Sequence, residues 1–355
     1  MNKRIQILDC TLRDGGFGLE DANISNGAGL VFSEKDIAGV SLNLNRSNID
    51  IVEIGSIEIT RDNKEGMAIY QDLESISDKI PKPRNRDQIY AAFYRGPDTP
   101  VQDIPERNES SCDGVRVVLR YSELKKSLDF CGELSKKGYK VFMQPMVTMR
   151  YSNDELQMVI DAANDISAYA LYFVDSYGYM TEEDVTRYFS LYDKGLNRPV
   201  RIGFHAHNNM NLAFSNALAF IKQESDRAII IDSCCLGMGQ GAGNLQTEII
   251  ADHMNRRHGA SYDYDAVLAA CEIVDKYWDA GLWGYSLTRL LPAINRTAYK
   301  FSLALRNRYK LSFVEIHNIL KNIPEEYRHR YTPDSTKELL KISGRADLIV
   351  EAAPK

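Results

Sequence analysis

A chain of 355 residues with 44% hydrophobic and 26% charged side chains and a formal net charge of −6 has the balance of an ordinary folded protein. That balance excludes a disordered acidic tail and a basic surface built to coat nucleic acid. The length exceeds one average domain, yet a (β/α)₈ barrel takes about 250 residues, so one barrel with an appendage fits.

The opening Met1-Asn2-Lys3-Arg4 runs straight into Ile5-Gln6-Ile7-Leu8, too short and interrupted for a signal peptide, and no apolar run approaches membrane length. A cytoplasmic location without membrane partners is therefore expected. Cys10, Cys112, Cys131, Cys234, Cys235 and Cys271 lack CxxC spacing and read as reduced, mostly buried thiols.

Eight short β-branched runs follow one another over the first 235 residues, at 5–10, 50–55, 89–94, 114–119, 140–145, 170–175, 201–207 and 228–234. Each is separated from the next by enough chain for an amphipathic helix, the alternation of a parallel sheet. Several, such as Ala228-Ile229-Ile230-Ile231, are nearly continuous in apolar character and suit strands covered on both faces. Eight such units favour closure, so the expected fold class is α/β, a (β/α)₈ TIM barrel. Helix starts are legible at Ser152-Asn153-Asp154-Glu155 and Thr181-Glu182-Glu183-Asp184. After about Tyr262 the pattern turns helical and strand-poor, with Ser312 or a neighbour capping a segment that ends near Pro324. We expect a barrel over 1–261 and a small helical domain over 262–355 that contributes to an active site or an oligomer interface.

In such a barrel catalytic groups gather at the C-terminal ends of the strands. There the chain places Asp9-Cys10-Thr11-Leu12-Arg13-Asp14-Gly15-Gly16, then Glu53, Asp175-Ser176 and His205-Ala206-His207-Asn208. His205 and His207 are two apart in a strand and project to one face, a ready pair of metal ligands. Asp14 completes a His₂-carboxylate set suited to octahedral Mn²⁺, with Mg²⁺ or Co²⁺ as alternatives. The bland reading is a pair of hydrogen-bonded histidines near a loop.

A glycine-rich segment, Gly237-Met238-Gly239-Gln240-Gly241-Ala242-Gly243-Asn244, follows the eighth strand. Gly237, Gly239 and Ala242 satisfy GxGxxA, but no strand carrying an acidic residue follows, so a dinucleotide is disfavoured. Backbone amides approaching a substrate anion, at Gly239 and Gly241, fit better. Arg95, Arg120 and Arg150 fall at or just past the ends of strands three to five beside Arg13. They point to a substrate with more than one anionic group, such as a phosphorylated or nucleotide-linked sugar acid, unless they pair with Asp98, Glu123, Asp154 or Glu155.

Together, Asp9-x-Thr11-Leu12-Arg13-Asp14-Gly15, His205-x-His207-Asn208 and the Gly237–Asn244 segment resemble the DRE-TIM metallolyases, enzymes of pyruvate-enolate and acyl-enolate chemistry. The Gly-Ala-Gly-Asn form and Val174-Asp175-Ser176 are similar to the 4-hydroxy-2-oxovalerate aldolase branch. The resemblance implies a carbon–carbon lyase in which a divalent metal on Asp14, His205 and His207 chelates a 2-oxo acid and Arg13 stabilises the enolate oxygen. It also implies that Ser176 positions substrate and that Tyr285, in Trp283-Gly284-Tyr285-Ser286, is brought over the site from the helical tail. Asp9, Glu53 and Asp175 are expected to brace the ligands or the loops around them, Asn244 to touch the metal or brace its loop, and Arg13 could instead serve as a structural partner of Glu53 or Asp175. A homo-oligomer or a dehydrogenase partner, as in related bifunctional complexes, is compatible with the helical tail.

One position departs from the branch. Where those aldolases place a histidine as base for the 4-hydroxyl, the sequence reads Gly15-Gly16-Phe17-Gly18. Phe17 accepts no proton, so Tyr285, Glu20 or another group performs that step, or the reaction differs. The alternatives are a Claisen-type acyl-CoA synthase or lyase and a non-catalytic barrel partner.

Overall fold

The structure, a computed structural model, describes residues 5–26, 29–59, 64–278 and 281–349. Met1–Arg4, on which the leader-peptide reading rests, lie outside the described residues. The strands are β1 (Ile5–Asp9), β2 (Ile51–Ile57), β3 (Ile69–Tyr70), β4 (Ile89–Tyr94), β5 (Gly114–Leu119), β6 (Lys140–Pro145), β7 (Ala170–Asp175), β8 (Arg201–Ala206) and β9 (Ile229–Ser233). All but β3 form a ring in the order β1-β9-β8-β7-β6-β5-β4-β2, every pair parallel, closed where Leu8 and Asp9 of β1 meet Ile51 and Val52 of β2. Beyond the end of β1, the short β3 takes over as partner to the last residues of β2. The barrel expected from the eight apolar runs is thus present, with strand limits within a residue or two of the sequence reading.

Around it run α1 (Thr11–Asn26), α2 (Glu34–Arg46), α3 (Leu73–Ser77), α4 (Leu124–Lys136), α5 (Asn153–Asp165), α6 (Glu182–Gly195), α7 (Ala213–Ile221), α8 (Thr247–His258) and α9 (Tyr264–Trp278). Capping boxes set several starts: Ser33 with Asp36, Ser152 with Glu155 and Thr181 with Asp184. The helices bury one stripe each, as α4 does with Phe130, Cys131 and Leu134.

Helix α1 has no such stripe. Three glycines in its first eight residues are poor helix formers, worth about 1 kcal/mol each against alanine. Packing requires them. A Cβ on Gly16 would fall on the Met67 carbonyl, and one on Gly18 would sit 3.0 Å from the Gly239 oxygen, so only a bare backbone lets α1 lie between these segments. Tertiary contact overrides propensity where the sequence carried no helical signal.

The helices α10 (Leu287–Ile294), α11 (Lys300–Asn307), α12 (Phe313–Lys321), α13 (Glu325–Arg328) and α14 (Pro333–Ile342) enclose their own cluster of Leu291, Phe301, Leu305, Ile316 and Leu340. Helix α9 instead adds Val267, Ala270 and Val274 to the core around the barrel. Among the described residues no helix is long and apolar enough to cross a membrane.

Asp36 ties α2 to α9. It closes the α2 capping box and accepts hydrogen bonds from Lys276 Nζ at 2.6 Å and Tyr277 Oη at 2.8 Å. These contacts, with burial opposing, hold its carboxyl down to about 2. Asp36→Ala is therefore expected to lower stability by about 1–3 kcal/mol in urea unfolding, the sum of a lost cap and lost charge-assisted bonds. An unchanged midpoint would show that this tie contributes nothing.

Candidate active site

The barrel interior is not filled by hydrocarbon alone. Arg116, in the middle of the apolar run Gly114-Val115-Arg116-Val117-Val118-Leu119, points inward and is fully buried. Its guanidinium pairs with Asp232 of β9, stands 3.5 Å from Glu53 of β2 and lies over the Tyr172 ring of β7 at 4.4 Å. Both carboxylates pass the constraint upward. Asp232 Oδ2 accepts from His205 Nδ1 at 2.8 Å, and Glu53 Oε2 accepts from Arg13 Nε at 2.7 Å. Arg13 Nη1 in turn lies 2.8 Å from Asp14 Oδ1.

Asp14, His205 and His207 offer ligand atoms that all lie within 4.8 Å of one another. Asp14 occupies the first turn of α1, His205 the end of β8, and His207 the position two further along. The partners fix the tautomers. His207 Nδ1 faces the carbonyl oxygen of Asp175 at 2.9 Å, which can only accept, so Nδ1 carries the proton and Nε2 a lone pair. The Asp232 carboxylate imposes the same tautomer on His205, whose Nε2 lies 3.8 Å from Asp14 Oδ2. Burial, reinforced by His207 for His205, holds both imidazoles below their usual value and so neutral. Burial alone would raise Asp14, but Arg13 and the two histidines outweigh it and keep the carboxyl ionised. Two neutral imidazoles and one carboxylate are the protonation states that a hard divalent ion requires. The charge balance agrees, since two buried guanidiniums, Arg13 and Arg116, face three buried carboxylates, Asp14, Glu53 and Asp232.

The glycine-rich loop completes the site. Positive φ at Gly237, Gly241 and Gly243 folds it back so that Asn244 donates through Nδ2 to Asp14 Oδ2, while Asn244 Oδ1 stays buried without a partner. Gly239 lies against Asp14, where a Cβ would come 3.0 Å from Oδ2, whereas Gly241 lines the cavity above.

That cavity, of about 440 Å³, has Asp14, His205, His207 and Arg13 among its walls, with Phe17, Phe93, Val118, Met146 and Val174 as an apolar side. Ser176 lines it and accepts the amide of Val147 at 2.7 Å, holding that residue in a left-handed conformation (φ 54°). Asp175, pushed up to about 7 by burial, braces the same loop by accepting from the amides of Tyr179 and Met180 at 3.0 Å. Asp9 does not reach a ligand. It faces the helices, accepting from Thr11 N at 2.9 Å and Thr247 Oγ1 at 2.6 Å, and the residue that orients His205 is Asp232.

The arginine-rich mouth is charge-compensated. Arg120 reaches the cavity but its fork is taken by Asp98 and by Glu123 at 3.1 Å. Arg95 is held by Glu20 at 2.5 Å and Glu58 at 2.8 Å and stacks on Phe17 at 4.0 Å. Arg150 lies over the Tyr121 ring at 4.0 Å and is not part of the cavity wall. Tyr285 is 57% exposed and does not line the cavity either; the short path from Trp283, whose Nε1 is anchored on the Leu236 carbonyl at 2.8 Å, leaves it pointing outward. The helical segment contributes Pro292, Tyr299 and His329 to the wall instead. Glu20 is clamped by Arg95 and Lys64, which outweigh burial and keep its carboxyl low. Arg116 and Asp232 were legible as charges interrupting apolar strands, a signal of buried pairing. No local pattern marked Tyr299 or His329.

A (β/α)₈ barrel with a carboxylate and two histidines converging at its C-terminal mouth defines a class of barrel enzymes built around a metal-capable site. The HMGL-like family model matches residues 4–275, and the chain belongs to that family. It is 28% identical over 280 residues, 78% of each chain, to a 4-hydroxy-2-oxovalerate aldolase of Geobacillus genomosp. 3. It is 26% identical over 269 residues, 74% of each, to an oxaloacetate decarboxylase of Mycobacterium tuberculosis. Among solved structures, the N-terminal domain of a candidate aldolase from Bacteroides vulgatus superposes with a TM-score of 0.70 at 23% identity, covering 87% of this chain and 98% of that one. The HMG-CoA lyase of Bacillus subtilis gives 0.60 at 13% identity over 78% and 93%. These structural likenesses establish the shared fold.

Removing Arg116 takes from buried Asp232 its paired guanidinium and leaves Glu53 with Arg13 alone. Arg116→Met is expected to cost about 3–5 kcal/mol of stability, measured by chemical unfolding. A neutral result would mean that the carboxylates simply take up protons.

Proposed function

We propose that the chain is a divalent-metal-dependent carbon–carbon lyase that cleaves or forms the bond next to a 2-oxo acid through an enolate, as an aldolase. The observation that carries this reading is the state of Arg13. Its Nε and Nη1 are fixed by Glu53 and Asp14, while Nη2 is buried without a partner beside the Asp14, His205 and His207 cluster. A rigid, buried donor with no partner of its own is what a developing oxyanion calls for, and it undergoes little reorganisation when charge appears. The pairing with Glu53 therefore supports catalysis, because it aims the fork that remains.

Asp14, His205 and His207 would hold the metal, Mn²⁺ being the ion proposed; the two imidazoles weigh against Mg²⁺, and Co²⁺ is the alternative. When bound, it supplies Lewis-acid polarisation of the keto oxygen. Asn244 orients Asp14, and Asp232 and the Asp175 carbonyl orient the histidines. Ser176 and Gly241 bound the substrate pocket. The names of the relatives point the same way, an aldolase and a decarboxylase both acting on 2-oxo acids. A polyanionic second half finds little support, since Arg95 and Arg120 are already neutralised. The apolar side of Phe17, Phe93, Val118 and Met146 fits a neutral aldehyde fragment better.

The test is proton exchange. With Mn²⁺ in D₂O, pyruvate should lose its methyl proton signal in NMR, and Arg13→Gln should slow that exchange about 100- to 1000-fold, the usual effect of removing an oxyanion donor. Absence of exchange, together with turnover of an acyl-CoA, would replace the aldolase with a Claisen-type enzyme. Inertness towards both would favour a non-catalytic partner. In a metal titration, Asp232→Asn should weaken Mn²⁺ binding about 10- to 100-fold by releasing His205. Unaltered affinity would remove Asp232 from the site.

A further inference from the structure

The aldol reaction needs a group to take the proton of the 4-hydroxyl, and Phe17, Glu20 and Tyr285 do not provide it. A different chain of groups reaches the cavity. Tyr177, directly after Ser176, lines the wall and its Oη lies 2.6 Å from His329 Nδ1. His329 also lines the wall, and its Nε2 lies 3.0 Å from Glu325 Oε1, whose other oxygen accepts from Arg328 Nε at 2.9 Å.

The roles follow from the partners. A carboxylate between Arg328 and His329 is ionised and only accepts, so the neutral imidazole carries its proton on Nε2 and a lone pair on Nδ1. Tyr177 must then donate to Nδ1, which leaves its oxygen lone pairs free to accept. Burial, with Arg150 and Arg328 adding to it and Glu325 opposing, keeps His329 below its usual value and able to take a proton. Burial likewise keeps Tyr177 a hydroxyl at rest.

We propose that Tyr177, His329 and Glu325 form a proton relay that removes the 4-hydroxyl proton of a 4-hydroxy-2-oxo acid. The proposal rests on the lyase reading above. As the C3–C4 bond breaks, its electron pair becomes the enolate, and the O–H pair becomes the second bond of the aldehyde carbonyl. The hydroxyl proton passes to Tyr177 Oη while the Tyr177 proton passes to His329 Nδ1, giving an imidazolium held by Glu325. Protonation of the enolate carbon and return of His329 to neutrality restore the balance without any external oxidant or reductant. Tyr177 is the catalytic residue, and His329 and Glu325 are positioning and proton-storing residues behind it.

Oxaloacetate decarboxylation separates this step from the rest, because it reaches the same enolate by loss of CO₂ with no hydroxyl proton to remove. With Mn²⁺-loaded protein, Tyr177→Phe and His329→Gln are each expected to lower kcat for cleavage of 4-hydroxy-2-oxovalerate about 100- to 1000-fold, with KM changed less than about 3-fold. Oxaloacetate decarboxylation should stay within about 3-fold of the parent, which also shows that the variants are folded. Equal loss of both activities, loss of neither, or a selective loss in Tyr299→Phe instead would overturn the relay while leaving the lyase reading intact. A parent protein inert towards both substrates would overturn the lyase reading, and the relay with it.

Discussion

A guanidinium sealed inside a barrel is expensive unless every charge around it is arranged in return. Arg116 is such a group, and the active end of the molecule is organised outward from it. Asp232 and Glu53, on the two strands that flank β1, meet it from across the ring, and each has a second duty at the mouth: one carboxylate sets the ring of His205, the other aims Arg13. The same low dielectric that penalises an unpaired charge makes these pairings stiff. The groups that face the cavity inherit their orientation from a layer that never touches solvent.

The cavity itself has two origins. Its floor comes from strand ends and the first turn of α1, where backbone position is fixed by the parallel ladder. Its roof comes from the helices after Leu287, through Pro292, Tyr299 and His329. Asp21 on α1 stitches floor to roof, since Gln240 Nε2 at 2.7 Å, Lys300 Nζ at 2.5 Å and the Tyr299 hydroxyl converge on its carboxylate. A chemically rigid floor under a roof built from another part of the chain lets reaction type and substrate shape vary separately.

Sequence patterning reached the barrel almost entirely, because both its signals are local: apolar runs of strand length, and capping residues three positions from their partners. The metal-capable triad was legible for a related reason, as alternation along β8 fixes the common face of His205 and His207. The α1 helix was invisible because its glycines answer to the Met67 and Gly239 backbones, which are distant in sequence. Tyr285 was expected over the site from its motif, yet its direction depends on how Trp283 docks, and Tyr299 lies at the wall instead. The arginines at the mouth were located correctly at the strand ends, but whether Arg95 and Arg120 were free to meet an anion depended on Glu20, Glu58 and Asp98, partners that only the folded loops identify. His329 had no local signature, being joined to Tyr177 across more than a hundred residues.

Besides meeting β2, the first strand pairs along its length with the last, and the candidate site straddles that seam: Asp14 lies just past β1, while His205, His207 and Asn244 arrive from the far end of the chain's run of strands. During synthesis the carboxylate therefore leaves the ribosome some two hundred residues ahead of its companions. The proposed ligand set is incomplete until almost the whole ring has been made, so a metal held there would not template early collapse. If the triad holds an ion as proposed, its capture would report successful closure, and a misthreaded or truncated ring would remain chemically silent as well as misfolded.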